Sequence, residues 1–70
     1  MKGKVKWFNG NKGYGFILAE DRQEYFAHWQ SIVARSTNEQ KVLEQNDIVE
    51  FDVLDTAKGI QAINIIRQNV

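Results

Sequence analysis

The chain has 70 residues, 43% of them hydrophobic, nine basic and nine acidic side chains, and no cysteine or proline. That length bounds it to one small domain, residues 1–70, with a modest core. The composition argues against disorder, and the missing cysteines exclude disulfides and thiolate metal sites and fit a reducing compartment. No signal-peptide pattern and no long apolar run is present, so neither export nor a membrane span is expected.

The zero net charge conceals an asymmetry. Residues 1–14 carry Lys2, Lys4, Lys6 and Lys12 with no acid, giving +4; the remaining five basic and nine acidic residues give −4. A local basic patch attracts phosphate whatever the total charge. Lysines that only protect an edge strand would produce the same pattern, so charge alone does not decide.

Five strand-like runs separated by turn residues suggest a small barrel or sandwich. The first is Lys2–Phe8, followed by the reversal Asn9-Gly10-Asn11. Strict alternation puts Trp7 on the side of Val5 and Lys6 with Phe8. If Val5 is core, Trp7 reaches the outer face only through twist or a bulge.

The second run, Tyr14–Leu18, belongs to the most informative stretch, Lys12-Gly13-Tyr14-Gly15-Phe16-Ile17. Tyr14 and Phe16 share one face of a strand; Gly13, Gly15 and Ile17 share the other. With Ile17 inside, the two rings face outward beside Lys12, where unpaired bases could stack. Taken alone, the run is better read as a core ring pair with the glycines lining the outer face, because hydrophobic residues are usually inside.

The third run supports the outward reading. After the polar turn Glu20-Asp21-Arg22-Gln23, the strand Glu24–His28 alternates Phe26 and His28 against Tyr25 and Ala27. With Tyr25 and Ala27 inside, Phe26 and His28 join the rings of the second strand, an apolar patch that is costly without a ligand. His28 has no second His, no Cys and no carboxylate pair nearby, which argues against metal binding or catalysis.

Residues 29–46 read as a long loop, with a single helical turn at Gln30-Ser31-Ile32 and anchors at Val42 and Leu43. Ser36-Thr37-Asn38-Glu39-Gln40 has capping-box spacing that can start a short helix. The fourth strand, Ile48–Leu54, sets apolar Val49, Phe51 and Val53 against the opposite face. Glu44, Asp47, Glu50, Asp52 and Asp55 are expected to solvate that face. Asp55–Gly59 forms a turn, and Ile60–Ile66 is the last strand, with Ile60, Ala62, Asn64 and Ile66 opposite Gln61, Ile63 and Ile65.

Together, Lys-Gly-Tyr-Gly-Phe-Ile resembles a first ribonucleoprotein motif and Tyr-Phe-Ala-His-Trp a second. Residues 3–17, Gly-Lys-Val-Lys-Trp-Phe-Asn-Gly-Asn-Lys-Gly-Tyr-Gly-Phe-Ile, resemble the bacterial cold-shock proteins. The likeness covers nearly the whole chain and includes Val49–Val53 and Lys58–Ile65. It implies an all-β fold, a five-stranded antiparallel oligonucleotide-binding barrel. It implies single-stranded RNA and DNA as partners, and an RNA chaperone acting in the cytoplasm with no cofactor and no catalysis. Carried onto this chain, Trp7, Tyr14, Phe16, Phe26, His28 and Trp29 are the stacking surface, with Phe8 at its border. Lys6, Lys12 and Lys58 lie near the strand backbone, and Asn9 shapes the first loop and can reach a base edge. Trp29 stands where the family often has phenylalanine, and Ala27 where it often has valine. Gln40 stands near an expected loop aromatic. The state expected is a monomer, with a strand-exchanged dimer as the variant. The alternative function is a protein-interaction module using the same aromatic face. An RNA-recognition motif is excluded because the two motifs come in the wrong order and no room remains for two helices.

Overall fold

The computed structural model describes residues 1–34 and 41–68. Its strands are β1 (Lys2–Asn9), β2 (Tyr14–Ala19), β3 (Glu24–His28), β4 (Ile48–Thr56) and β5 (Gly59–Arg67), with a single 3₁₀ turn, Trp29–Ser31, after β3. Each expected strand is present, several of them longer by a residue or two. The helical turn starts one residue earlier than expected, because the His28 side chain caps it by accepting from the Gln30 backbone N–H at 3.2 Å. The capping-box segment and Gln40 lie outside the described residues.

The strands close into a barrel in the order β1-β2-β3-β5-β4. The β1–β2, β2–β3, β1–β4 and β4–β5 seams are antiparallel; the closing β3–β5 seam is parallel and short, pairing Phe26 with Gln61 and Ala27 with Ala62. Closure leaves no free sheet edge at those positions. Val5, Ile17, Val49, Phe51 and Ile65 fill the interior, joined by Ala19, Tyr25, Ala27, Ile32, Leu43 and Ala62. Complete burial of each large aliphatic or aromatic side chain contributes about 1.5–3 kcal/mol.

Two glycines permit close approach in the first hairpin. A Cβ on Gly15 would meet the Trp7 carbonyl oxygen and, at 2.6 Å, the Phe8 Cα. Only hydrogen fits there, and β1 lies tight against β2. Gly13 has φ +78°, and a Cβ on it would strike the Trp29 ring. Its carbonyl accepts from the Trp29 backbone N–H at 2.9 Å, which ties the start of the 3₁₀ turn to the first hairpin.

Three expectations need correction. Val53 is 40% exposed, because burial along β4 stops after Phe51 and the strand's last residues continue past the packed interior. Alternation in β5 breaks at Asn64, which adopts φ +51°, a conformation that asparagine tolerates better than most residues. Across from it the register jumps from Asp52↔Ile63 to Glu50↔Ile66, so two β5 residues oppose Phe51 alone. This bulge brings both Ala62 and Ile65 inside. Asp47 does not solvate a strand face. It is buried, and its Oδ2 accepts from the Glu44 backbone N–H at 3.0 Å, closing the turn before β4.

Candidate nucleic-acid interface

Burying Ile17, Gly15, Tyr25 and Ala27 turns the alternate residues of β2 and β3 outward. Cross-strand pairing sets Tyr14 beside His28 and Phe16 beside Phe26. The ring centroids are 5.9 Å apart for Tyr14–Phe26, 5.8 Å for Phe16–Phe26 and 6.4 Å for Phe26–His28.

A bulge brings Trp7 into this group. Val5 pairs with Ile17, but the next pair is Trp7 with Phe16, so Lys6 is an extra residue in β1. Inserting one residue restores Val5 to the core and Trp7 to the surface. The Trp7 ring lies 5.9 Å from Tyr14 and 5.6 Å from Phe16, and the residue is 39% exposed. At the other end, Trp29 is 5.8 Å from His28 and 41% exposed. Six rings therefore form one continuous surface over three strands and the turn that follows. Phe8 is placed differently: it pairs with Gly15 and packs half-buried against the core, supporting the sheet from within.

The polar residues are held in distinct ways. The Asn9 Oδ1 accepts from the backbone N–H groups of Asn11 and Lys12, each at 3.0 Å. Asn9 thus shapes the first loop, and its carbonyl oxygen is occupied in doing so. Lys12 is exposed on that loop and Lys58 on the β4–β5 turn. Lys6 donates to Glu24 Oε2 at 2.8 Å, a partner that sequence reasoning missed. Lys41 was also missed; its Nζ lies 5.9 Å from the Trp29 ring centre, within cation–π range. The Gln30 N–H bond to His28 Nδ1 leaves the proton of the neutral imidazole on Nε2. Neither the Lys6–Glu24 nor the Lys41–Trp29 contact is legible from spacing in the sequence, since each joins separate elements.

A groove of about 400 Å³ extends the ring surface across the β3–β5 seam, between Phe16, Glu24 and Phe26 on one side and Lys58, Ile60 and Gln61 on the other. The seam opens there because β3–β5 pairing begins only at Phe26 and Gln61. Among the described residues no group of three or more His, Cys, Asp or Glu side chains is placed to hold a metal ion. No helix among them is long and apolar enough to cross a membrane.

The described features agree with comparisons against known proteins. Residues 1–68 match the family described as the 'Cold-shock' DNA-binding domain. Cold shock-like protein CspC of Bacillus cereus is 45% identical over 67 residues, covering 96% of this chain and 98% of the relative. The major cold shock protein of Streptococcus pyogenes is 47% identical over 66 residues, covering 94% of each. Among solved structures, the drosophila Unr CSD456 structure superposes with a TM-score of 0.75 at 28% identity, covering 97% of this chain and 26% of that one. The chain belongs to the cold-shock domain family, whose members are nucleic-acid-binding and non-enzymatic.

Proposed function

We propose that this protein binds single-stranded RNA and DNA by stacking unpaired bases on the face formed by Trp7, Tyr14, Phe16, Phe26, His28 and Trp29. The observation that carries the reading is the unbroken succession of ring contacts from Trp7 to Trp29 on an outward face. Stacking on an aromatic contributes about 1–3 kcal/mol per base and tolerates any base. Paired bases keep their faces inside the duplex, so the platform selects unpaired strands. Trapping open segments disfavours weak hairpins, which is the action of an RNA chaperone in the cytoplasm. Lys12 and Lys58 flank the rings and take backbone phosphates; Lys6 does so when it leaves Glu24. Asn9 holds the loop that carries Lys12. Phe8 borders the platform from beneath. Residues 1–70 act as one domain, as a monomer.

The test is a tryptophan-fluorescence titration with a short oligothymidine and with a duplex of equal length. Trp7 and Trp29 are the chain's two indoles, and both belong to the proposed face. Saturable quenching by the single strand alone is expected. No change with a folded protein would overturn base stacking and favour a protein partner for this face.

A further inference from the structure

The succession of rings closes at Trp29, which is in contact with His28. Next to Trp29 lies a second cleft, of about 520 Å³, between residues 10–13 of the first loop and the Lys41-Val42 segment. The loop and Val42 close one wall of it: a Cβ on Gly10 would come within 3.9 Å of Val42 Cγ1. The indole is fixed against the loop, since a Cβ on Gly13 would strike it. A strand that follows the rings meets this wall at Trp29 and has to leave the face there or end. The cleft is bordered by two cations, Lys12 and Lys41, and by no acid. Lys41 Nζ already lies over the Trp29 ring, 5.9 Å from its centre.

We infer that this cleft recognises a strand end: Lys41 and Lys12 hold the terminal phosphate of a strand whose last base stacks on Trp29. The inference rests on the single-strand stacking function proposed above. A base on the ring face that Lys41 covers displaces the ammonium, which then loses its cation–π attraction. A base without a nearby anion gives that ammonium nothing in return. A phosphate on the same nucleotide gives it a new partner beside Lys12. An internal phosphodiester carries one negative charge, whereas a terminal phosphomonoester carries about −1.5 to −2 near pH 7 and offers three acceptor oxygens. Two ammonium groups, each with three N–H donors, match that acceptor set. Asn9 Oδ1 already occupies the backbone N–H groups of Asn11 and Lys12, so recognition falls to the side chains. Charge also separates this cleft from the groove at the β3–β5 seam, where Glu24 is among the lining residues and repels a dianion.

The experiment compares hexathymidine carrying a 5′-phosphate, a 3′-phosphate or neither, read by tryptophan quenching at fixed salt and pH 7.5. One phosphorylated end is expected to bind about five- to tenfold tighter than the unphosphorylated hexamer, as charge-assisted hydrogen bonds to two ammonium groups require. The other end should change affinity by less than about twofold, because only one end of a bound strand reaches Trp29. In Lys41→Gln the ratio of phosphorylated to unphosphorylated affinity falls to within about twofold. In Lys58→Gln, on the far turn, the ratio is retained. Equal gains from both phosphates would assign the effect to general attraction and overturn the inference. So would a gain that survives Lys41→Gln, or no gain at either end; these outcomes leave the platform reading intact. Thymidine monophosphate saturating the protein at the concentrations that suffice for the hexamer would assign the cleft to a free nucleotide and overturn strand-end recognition. Failure of every oligomer to bind would overturn the platform and this inference together.

Discussion

Each outward ring on this barrel has a neighbour within about 6.5 Å, so no ring acts in isolation. Phe16 and Phe26 are at the centre of the network: Phe16 touches Trp7 and Phe26, and Phe26 touches Tyr14, Phe16 and His28. Both point away from the buried cluster, so truncating either removes stacking area without opening the interior. Phe16→Ala and Phe26→Ala are each expected to weaken oligothymidine binding by about 1–3 kcal/mol, roughly five- to more than a hundredfold. Their unfolding midpoints in urea should remain near that of the unaltered protein. Because the two rings touch at 5.8 Å, the double variant should lose less than the sum of the single losses. Binding at the original affinity by either single variant would remove that ring from the platform.

The β2–β3 connection shows how an element end is fixed by one side-chain pair. Tyr25 is buried in the core, but its hydroxyl emerges at the turn and donates to Asp21 Oδ2 at 2.6 Å. Asp21 Oδ1 also accepts from the Gln23 backbone N–H at 3.0 Å. The Tyr25 bond first, and the Gln23 bond second, hold the Asp21 carboxyl below its ordinary value of 3.8. The same bond raises the Tyr25 hydroxyl above its ordinary value of 10.0. A lowered carboxyl value means that ionised Asp21 is favoured in the folded state. Its contribution is complete above the ordinary value and is lost as pH falls through the lowered one. For Tyr25 the sign reverses: the contribution is present below pH 10.0 and is lost as pH rises through the raised value. Tyr25→Phe should therefore lower the urea midpoint at pH 7, and the deficit should shrink as pH falls below the ordinary carboxylate range. A deficit unchanged at low pH would place the cause in packing instead. The elements themselves were legible because Ile17, Phe51 and their neighbours alternate cleanly, and the outward rings of β2 and β3 followed from that alternation. The two bulges were not legible. Lys6 and Asn64 are ordinary strand positions by composition, and an extra residue becomes defined only when a partner strand fixes the register. The conflict between Val5 and Trp7 was the one visible sign of the first. The second left no such sign, so Ile65 and Ala62 were assigned to opposite faces although both are buried.

Across the whole molecule, charge and rings make different demands on a strand, and salt separates them. Net charge is zero, with +4 in residues 1–14 against −4 in the rest, so long-range attraction is weak and directional. Of the lysines near the platform, Lys6 is already paired with Glu24 and Lys41 is engaged over the Trp29 ring, whereas Lys12 and Lys58 have no acidic partner among the described residues. Two to three phosphate contacts follow, each contributing about −0.7 to the slope of log affinity against log salt for a single strand. Oligothymidine binding should therefore show a slope of about −1.4 to −2.1, measured by quenching between low and physiological salt. Lys12→Gln and Lys58→Gln should each flatten it by about 0.7. The Phe16 and Phe26 variants should shift the line downward with its slope unchanged, because stacking releases no counterions. A steep slope, near that of a protein making six or more phosphate contacts, would mean that the strand is held by charge. The aromatic face would then need another purpose. A shallow slope with a large loss on removing either ring is what a surface built from six touching aromatics and few free cations requires.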